Sequence, residues 1–148
     1  MRYILTLFLL LPSLMHAAGC ISGNCDDGYG KYINNKGEQY EGYWSNGQSN
    51  GRGTYTNTQG DKYVGDWKDG AMTGIGTYSY ASGSVYHGGF YNFKKSGHGT
   101  YNYSDGDVYQ GNFANNERNG KGVYTSVDGW KYDGDWKIGE KHGHGTFS

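Results

Sequence analysis

A spacing of 23 residues, without insertion or deletion, organises most of this chain. A tyrosine recurs at that spacing, and a glycine follows each of these tyrosines two residues later. Fixed self-similarity at this length is typical of a repeat array, in which neighbouring units bury one another's faces. The chain is therefore predicted to stack similar units.

Each unit is predicted to form one antiparallel hairpin. Tyr40, Gly42 and Trp44 are two residues apart, so in a strand they share one face. The segment 45–50 is rich in Asn, Gly and Ser, which favours a hairpin loop before a second strand. The aromatic positions predicted to form the repeat core are Tyr40, Trp44, Tyr63, Trp67, Tyr86, Phe90, Tyr109, Phe113, Tyr132 and Trp136.

The abundance of glycine and aromatic residues favours strands over helices. The chain has 28 glycines, and its longest glycine-free stretch outside the N-terminal segment is residues 112–119. Interior glycine destabilises a helix by about 1 kcal/mol relative to alanine, whereas aromatic residues favour strands. An aromatic ring can also lie flat across the bare backbone of a glycine strand. The predicted fold is all-β, an elongated single-layer antiparallel sheet of successive hairpins.

The first nineteen residues have the layout of a secretory signal. Arg2 precedes an apolar run, residues 3–11, and small residues follow at positions 17–19. The run is shorter than the roughly 20 residues that a spanning helix needs. Every leucine of the chain lies within residues 5–14, so the rest offers no leucine-rich partner for a buried helix. Residues 1–19 are therefore predicted to be a signal peptide, and the protein is expected to be periplasmic or extracellular.

The charge balance argues against a nucleic-acid partner. The chain carries 13 basic and 14 acidic residues, and cleavage of the predicted signal removes one base, Arg2. A nucleic-acid surface requires a concentrated basic face, which this balance does not indicate.

The repeated pattern Tyr-x-Gly-x-Trp/Phe-x-x-Gly-x-x-x-Gly-x-Gly-x-Tyr resembles the MORN (membrane occupation and recognition nexus) repeat. The resemblance covers Gly28 to Ser148 as a half-repeat, 28–39, and five units, one to five: 40–62, 63–85, 86–108, 109–131 and 132–148. The hairpin-loop glycine is kept in units one, two and five. Phe93 and Asn116 replace it in units three and four, so these middle loops are expected to differ in shape.

The resemblance implies an elongated single-layer antiparallel sheet. Similar repeats accompany lipid-kinase and lysine-methyltransferase domains, and their proposed roles are membrane contact, protein contact and dimerisation. Neither catalytic domain is recognisable in this sequence. The expected function is that of a non-catalytic interaction or scaffolding module without a cofactor, acting on a protein partner that the sequence does not name.

Cys20 and Cys25 lie in a short cap, residues 20–27, ahead of the array. Two cysteines in an exported chain indicate a disulfide. Alternatively, Ala17-Ala18-Gly19-Cys20 resembles a bacterial lipoprotein cleavage box, and a lipidated Cys20 could not form the disulfide. The Cys-x4-Cys spacing also resembles a leader of exported bacterial MORN proteins, which favours the disulfide.

A column of bases in the later units is a candidate binding rim. Three of its members are 23 residues apart. Each base near an anionic surface contributes ~1 kcal/mol of attraction, so the column could bind lipid head groups or an acidic partner. Glu117 and Glu140 interrupt the column, and a solubilising edge is the competing interpretation. The rim residues are Phe93, Lys94, Lys95, Arg118 and Lys141.

The remaining patterns do not predict catalysis or metal binding. His142 and His144 could hold a metal loosely, but a protein site usually supplies three or four ligands. No nucleophile, base and orienting group can be assembled from the motifs present. The last strand, Gly143 to Phe147, is expected to offer an unpaired edge, through which a homodimer or a partner's strand could pair.

Overall fold

The computed structural model describes residues 19–148 as one open sheet of 12 antiparallel strands, each paired with its neighbours in the sequence. The strands are β1 (Gly19–Gly23), β2 (Gly28–Ile33), β3 (Gln39–Ser45), β4 (Gln48–Thr56), β5 (Lys62–Lys68), β6 (Ala71–Ser79), β7 (Val85–Tyr91), β8 (Lys94–Asn102), β9 (Val108–Ala114), β10 (Glu117–Thr125), β11 (Lys131–Lys137) and β12 (Glu140–Phe147). The predicted all-β, single-layer sheet of repeated hairpins is confirmed.

The N-terminal segment adds a strand that the repeat pattern does not contain. β1 pairs with β2 and completes the half-repeat into a hairpin. Part of the segment expected to be a cap is therefore a strand of the sheet. The predicted signal peptide, apart from Gly19, lies outside the described residues. Within residues 19–148, no helix is long and apolar enough to cross a membrane.

The hairpin turns of all five units have the same backbone shape. Both central residues have positive φ throughout, including Asn92 at 48° and Phe93 at 66° in unit three. The expectation that the middle loops differ in shape is therefore wrong. Hydrogen bonds from each turn to the strand that follows the preceding hairpin turn explain the uniformity: the Phe93 amide donates to the Met72 carbonyl at 3.2 Å, and the Asn116 amide to that of Lys95 at 3.1 Å.

The core is a layer of rings on one face of the sheet. Tyr63 is fully buried, and a Cβ added at Gly65 or Gly76 would overlap its ring. The Tyr63 ring meets Trp67 of its own unit edge-on at 5.4 Å and Phe90 of the next unit at 4.9 Å. The same pairing recurs from unit to unit, and such edge-to-face pairs are favourable beyond their buried area. The rings thus form a continuous core without a second layer of structure.

The polar atoms of these rings are paired. The Tyr63 hydroxyl donates to the Asp66 carbonyl at 3.0 Å, and the Trp67 indole N–H donates to the Gly53 carbonyl at 3.3 Å. Burial raises the pKa of Tyr86 to about 12, so its hydroxyl remains protonated and donates at neutral pH. Among the described residues, no buried side-chain nitrogen or oxygen lacks a partner. The ring layer therefore carries no desolvation penalty from orphaned groups.

Carboxylates between units lead to a prediction of acid sensitivity. The Asp61 carboxylate accepts from the Ala81 amide at 2.8 Å, and this bond holds the pKa of Asp61 below its usual value. The Tyr124 hydroxyl lowers the pKa of Asp107, which also accepts from the Val127 amide. A carboxylate whose pKa is lower in the folded state stabilises that state at pH values above its unfolded pKa of about 4. This stabilisation is lost as the pH falls through the folded-state pKa. We therefore expect the melting temperature to fall steeply below about pH 4.

Circular dichroism melts of the wild type and of the double variant Asp61→Asn/Asp107→Asn test this expectation. Asparagine keeps an acceptor oxygen but does not titrate, so the variant should lose less stability on acidification. The same acid-induced loss in both proteins would contradict a role for these two carboxylates.

Candidate binding face

The two faces of the sheet differ in chemistry. We call the face that carries the rings the ring face; nine of the ten predicted core aromatics are buried there, and Trp44 is half-buried. The opposite face carries exposed ion pairs, including Lys121 to Asp135 at 2.7 Å and Arg52 to Asp66 at 3.9 Å. Exposed pairs of this kind contribute little to stability. The ring face is therefore the apolar side of an open sheet.

The structure places the three spaced bases of the predicted rim over this ring layer. Lys95, Arg118 and Lys141 belong to β8, β10 and β12, whereas the sequence pattern assigned them to loops. Each charged group lies within 6 Å of the centroids of three or more rings, the range of cation–π contact. The shortest separations are 4.7 Å from Lys95 Nζ to Tyr101, 4.3 Å from Arg118 Cζ to Trp136 and 4.6 Å from Lys141 Nζ to Phe147.

Further contacts hold two of these cations in place. Arg118 Nη2 donates to the Gly139 carbonyl at 2.6 Å, and Lys95 Nζ lies 3.3 Å from the Tyr80 hydroxyl. Partial burial of the Lys95 ammonium among the rings lowers its pKa below the usual value. Lys95 and Arg118 are therefore half-buried against the rings, whereas Lys141, Phe93 and Lys94 remain exposed.

Strand parity is the signal that could have placed these cations. Lys95 is an even number of residues from Tyr101, so both side chains lie on the same face if the strand extends that far. The predicted hairpin loop is longer than the observed turn, and it therefore includes Lys95, which belongs to the strand. The turn in fact ends at Phe93, and β8 begins at Lys94.

An apolar cavity of about 330 Å³ opens on the ring face at units one and two. Ser49 lies in its floor, 9% exposed. Phe93 lies at its rim, 54% exposed, with its ring centroid 6.4 Å from that of Trp67. The cavity is lined by Tyr40, Trp44, Ser49, Tyr55, Trp67, Gly70, Met72 and Phe93.

Phe93 has a backbone conformation that disfavours its side chain. Its φ of 66° lies in the left-handed region, where the equivalent turn position in unit two is Gly70. A non-glycine residue there carries strain on the order of 1 kcal/mol, and such strain often marks a functional position. The sequence pattern indicates an aromatic beside two lysines at Phe93, but it does not predict the cavity.

The ends of the described sheet differ. Cys20 and Cys25 form a disulfide that ties β1 to the following turn. A Cβ at Gly30 would lie 2.8 Å from Cys25 Sγ, so this turn covers the ring face beside β2. β12, at the other end, is exposed along its whole length. Within residues 19–148, no group of three or more His, Cys, Asp or Glu side chains is placed to hold a metal ion.

Comparisons with known proteins identify the repeat. A search of curated proteins finds no significant match. Among solved structures, the TCP domain of SAS-4 (dCPAP) from Drosophila melanogaster, in complex with a proline-rich motif of Ana2 (dSTIL), is similar over 79% of this chain and 77% of that chain. Its sequence identity is 13% and its TM-score 0.40, values too low to support any argument.

The family model of the MORN repeat matches residues 40–62, 63–85, 86–108, 109–131 and 132–148. These are the five units that the period of the sequence defines, and together they cover most of the chain. This protein therefore belongs to the MORN-repeat family.

Proposed function

We propose that this protein is a non-catalytic interaction module whose ring face binds a polypeptide partner. MORN repeats are protein- or lipid-interaction modules, and the repeat itself is non-enzymatic. The observation that carries the proposal is the apolar cavity on the ring face, with the strained and exposed Phe93 at its rim. Apolar concave surfaces with a few polar groups are the usual binding sites of proteins.

The placement of the bases favours a protein partner over a lipid surface. A basic lipid site usually gathers four to eight bases that reach the head groups. Here Lys95, Arg118 and Lys141 already pack on rings of their own chain. We therefore expect no flotation with vesicles of phosphatidylglycerol and phosphatidylethanolamine, whereas salt-sensitive flotation would support the lipid alternative.

Phe93 provides a test in which stability and binding change in opposite directions. Phe93→Gly removes the side chain that disfavours positive φ, so it should stabilise the fold by up to about 1 kcal/mol. The same change removes the exposed ring at the cavity and should weaken partner capture. Urea unfolding measures the first effect, and capture from the native envelope or culture medium measures the second.

Asn116→Gly is the matched control for this test. It also introduces glycine at positive φ, in the equivalent turn of unit four and away from the cavity. Because asparagine tolerates this conformation better than phenylalanine, its effect on stability should be smaller than that of Phe93→Gly. A protein captured by the wild type and by Asn116→Gly, and weakly by Phe93→Gly, would support the proposed face. Equal capture by all three would argue against it.

We further infer that the protein is exported and keeps Cys20 and Cys25 as a disulfide. The disulfide suits an oxidising compartment, and the N-terminal segment has the pattern of a secretory signal. The intact mass of exported material should correspond to a chain that begins at or near Cys20 and is lighter than the dithiol by two hydrogen atoms. Retention of the leucine-rich segment would contradict export, and an added diacylglycerol mass would contradict the disulfide.

The open edge of β12 supports a proposal of dimerisation. Ser148 and Lys131 exchange two backbone hydrogen bonds, of 2.8 and 3.1 Å. Because such pairs alternate along an antiparallel ladder, Thr146 also pairs inward with Asp133, and the amide of Phe147 points to the open edge. Two β12 strands could then pair about a two-fold axis.

Phe147→Pro removes the outward donor and is expected to convert the dimer to a monomer in light scattering. Phe147→Ala loses the same ring but keeps the amide, so it should remain dimeric. A wild-type protein that is monomeric at high micromolar concentration would contradict this mode of assembly.

A further inference from the structure

We propose that the cavity of unit one is a guanidinium site, and that it takes an arginine side chain of a partner polypeptide. This inference rests on the proposed function, because it names the chemistry by which the ring face would recognise its partner. It comes from a comparison of two units of the same chain.

Units one and four share the three rings that surround a guanidinium in unit four. Their linings differ at Trp44, which is Phe113 in unit four, at Met72, which is Lys141, and at the residue that fills the site. In unit four, the Arg118 guanidinium lies over Tyr109, Tyr124 and Trp136, at 5.7, 5.6 and 4.3 Å from the ring centroids. Three repeats earlier, the equivalent rings are those of Tyr40, Tyr55 and Trp67, which line the cavity. All three ring types are identical between the two units.

The hydrogen-bond acceptor of the site is also repeated. Arg118 donates to the carbonyl of Gly139 in the next hairpin turn. The equivalent residue of the next turn after unit one is Gly70, which lines the cavity as well. Both glycines have positive φ, 80° at Gly139 and 81° at Gly70, so the two turns have the same shape. Unit one therefore has the same carbonyl as an acceptor for a guanidinium N–H.

The difference on which the inference rests lies at the residue that would fill the site. Ser49 occupies the column of Arg118, and its side chain is much shorter than that of arginine. Other units fill this column with a long side chain of their own: Met72 in unit two, Lys95 in unit three and Lys141 in unit five. Because Ser49 is short, no side chain of this column lies over the three rings in unit one, the aromatic cage.

The ring set favours a guanidinium over other cations. The planar guanidinium stacks on an indole and donates hydrogen bonds in the same plane, as Arg118 does between Trp136 and Gly139. A trimethylammonium group can satisfy the rings, but it has no N–H for the Gly70 carbonyl. In unit three, where the column residue is Lys95, the ring equivalent to Trp67 is that of Phe113 and not an indole. Unit one therefore matches the arginine site of this chain.

The first experiment uses the smallest probe that carries the group. N-acetyl-arginine methylamide is titrated into the purified protein, and the indole N–H signals of the four tryptophans are followed by NMR. We expect the Trp67 signal to shift, with a dissociation constant in the millimolar range. The citrulline analogue, which is isosteric but uncharged, should bind about tenfold more weakly. Equal shifts with citrulline, or with choline chloride at the same concentrations, would overturn the assignment to a guanidinium.

The second experiment fills the cage from within. Ser49→Arg places a guanidinium where Arg118 has one, so it should abolish the Trp67 shift and raise the melting temperature. Ser49→Gln, which is uncharged and shorter than arginine, should not raise the melting temperature by as much. Unchanged probe binding in Ser49→Arg would overturn the proposal.

The wider function can be separated from this inference with the same variant. Partner capture that depends on Phe93 but is unchanged by Ser49→Arg would leave the ring face as the interaction surface and refute the arginine site. If the cage binds the arginine probe but partner capture does not depend on Phe93, the arginine site would be supported and the proposed role of the ring face in capturing the partner would be refuted.

Discussion

Replacement of Trp67 by alanine is expected to lower the free energy of unfolding by about 3–5 kcal/mol. The side chain is only 6% exposed and packs edge-on against Tyr40 at 5.0 Å and Tyr63 at 5.4 Å. Its indole N–H also donates to the Gly53 carbonyl, which would lose this partner. Because the ring layer is one side chain deep, no second layer can move in to fill the cavity left behind.

Urea unfolding of Trp67→Ala and of His142→Ala measures the contrast. His142 is exposed on β12, and its replacement should change the stability by no more than about 0.5 kcal/mol, as is usual for surface positions. Equal effects of the two substitutions would mean that the ring face is not the core of the sheet.

Addition of a single methyl group at Gly76 is expected to destabilise the protein by about 1–3 kcal/mol or more. A Cβ there would overlap the buried ring of Tyr63, whose other side is confined by the neighbouring units. The ring cannot leave without losing its packing against Trp67 and Phe90. Gly76→Ala should therefore be costly even though alanine is a small residue.

Ile75→Ala is the control for Gly76→Ala in the same strand. Ile75 is 53% exposed on the opposite face, and its truncation should change the stability by about 0.5 kcal/mol or less. The account thus predicts that one added methyl at position 76 is more harmful than the loss of a large side chain at position 75. The reverse order in chemical denaturation would contradict the packing of rings on bare backbone.

The repeat pattern was sufficient to predict the fold because each of its columns has a local physical meaning. The two-residue spacing of Tyr40, Gly42 and Trp44 defines a strand and a face, and the Asn/Gly-rich segments define turns. The shape of the middle turns was mispredicted from Phe93 and Asn116. Hydrogen bonds to the second strand of the preceding hairpin impose the same conformation on these turns despite the strain at Phe93.

The candidate site was harder to predict, since it depends on contacts between units. Lys95, Arg118 and Lys141 are recognisable as a column, but the structure is needed to show that they lie over rings. The cavity arises because Ser49 is short at the same position, and a short polar residue carries no signal of its own. β1 was also missed, because residues 19–23 contain only part of the repeat pattern.

The most direct test of the account is site-specific photo-crosslinking on the two faces of the sheet. Benzoylphenylalanine is introduced at Phe93, at the rim of the cavity, or at Ile75, on the opposite face, and both proteins are irradiated in their native envelope or medium. We expect a discrete protein adduct from position 93, whose formation an arginine-containing peptide suppresses. We expect no adduct from position 75. Adducts from position 75 alone, or equally from both positions, would contradict the claim that the ring face binds the partner.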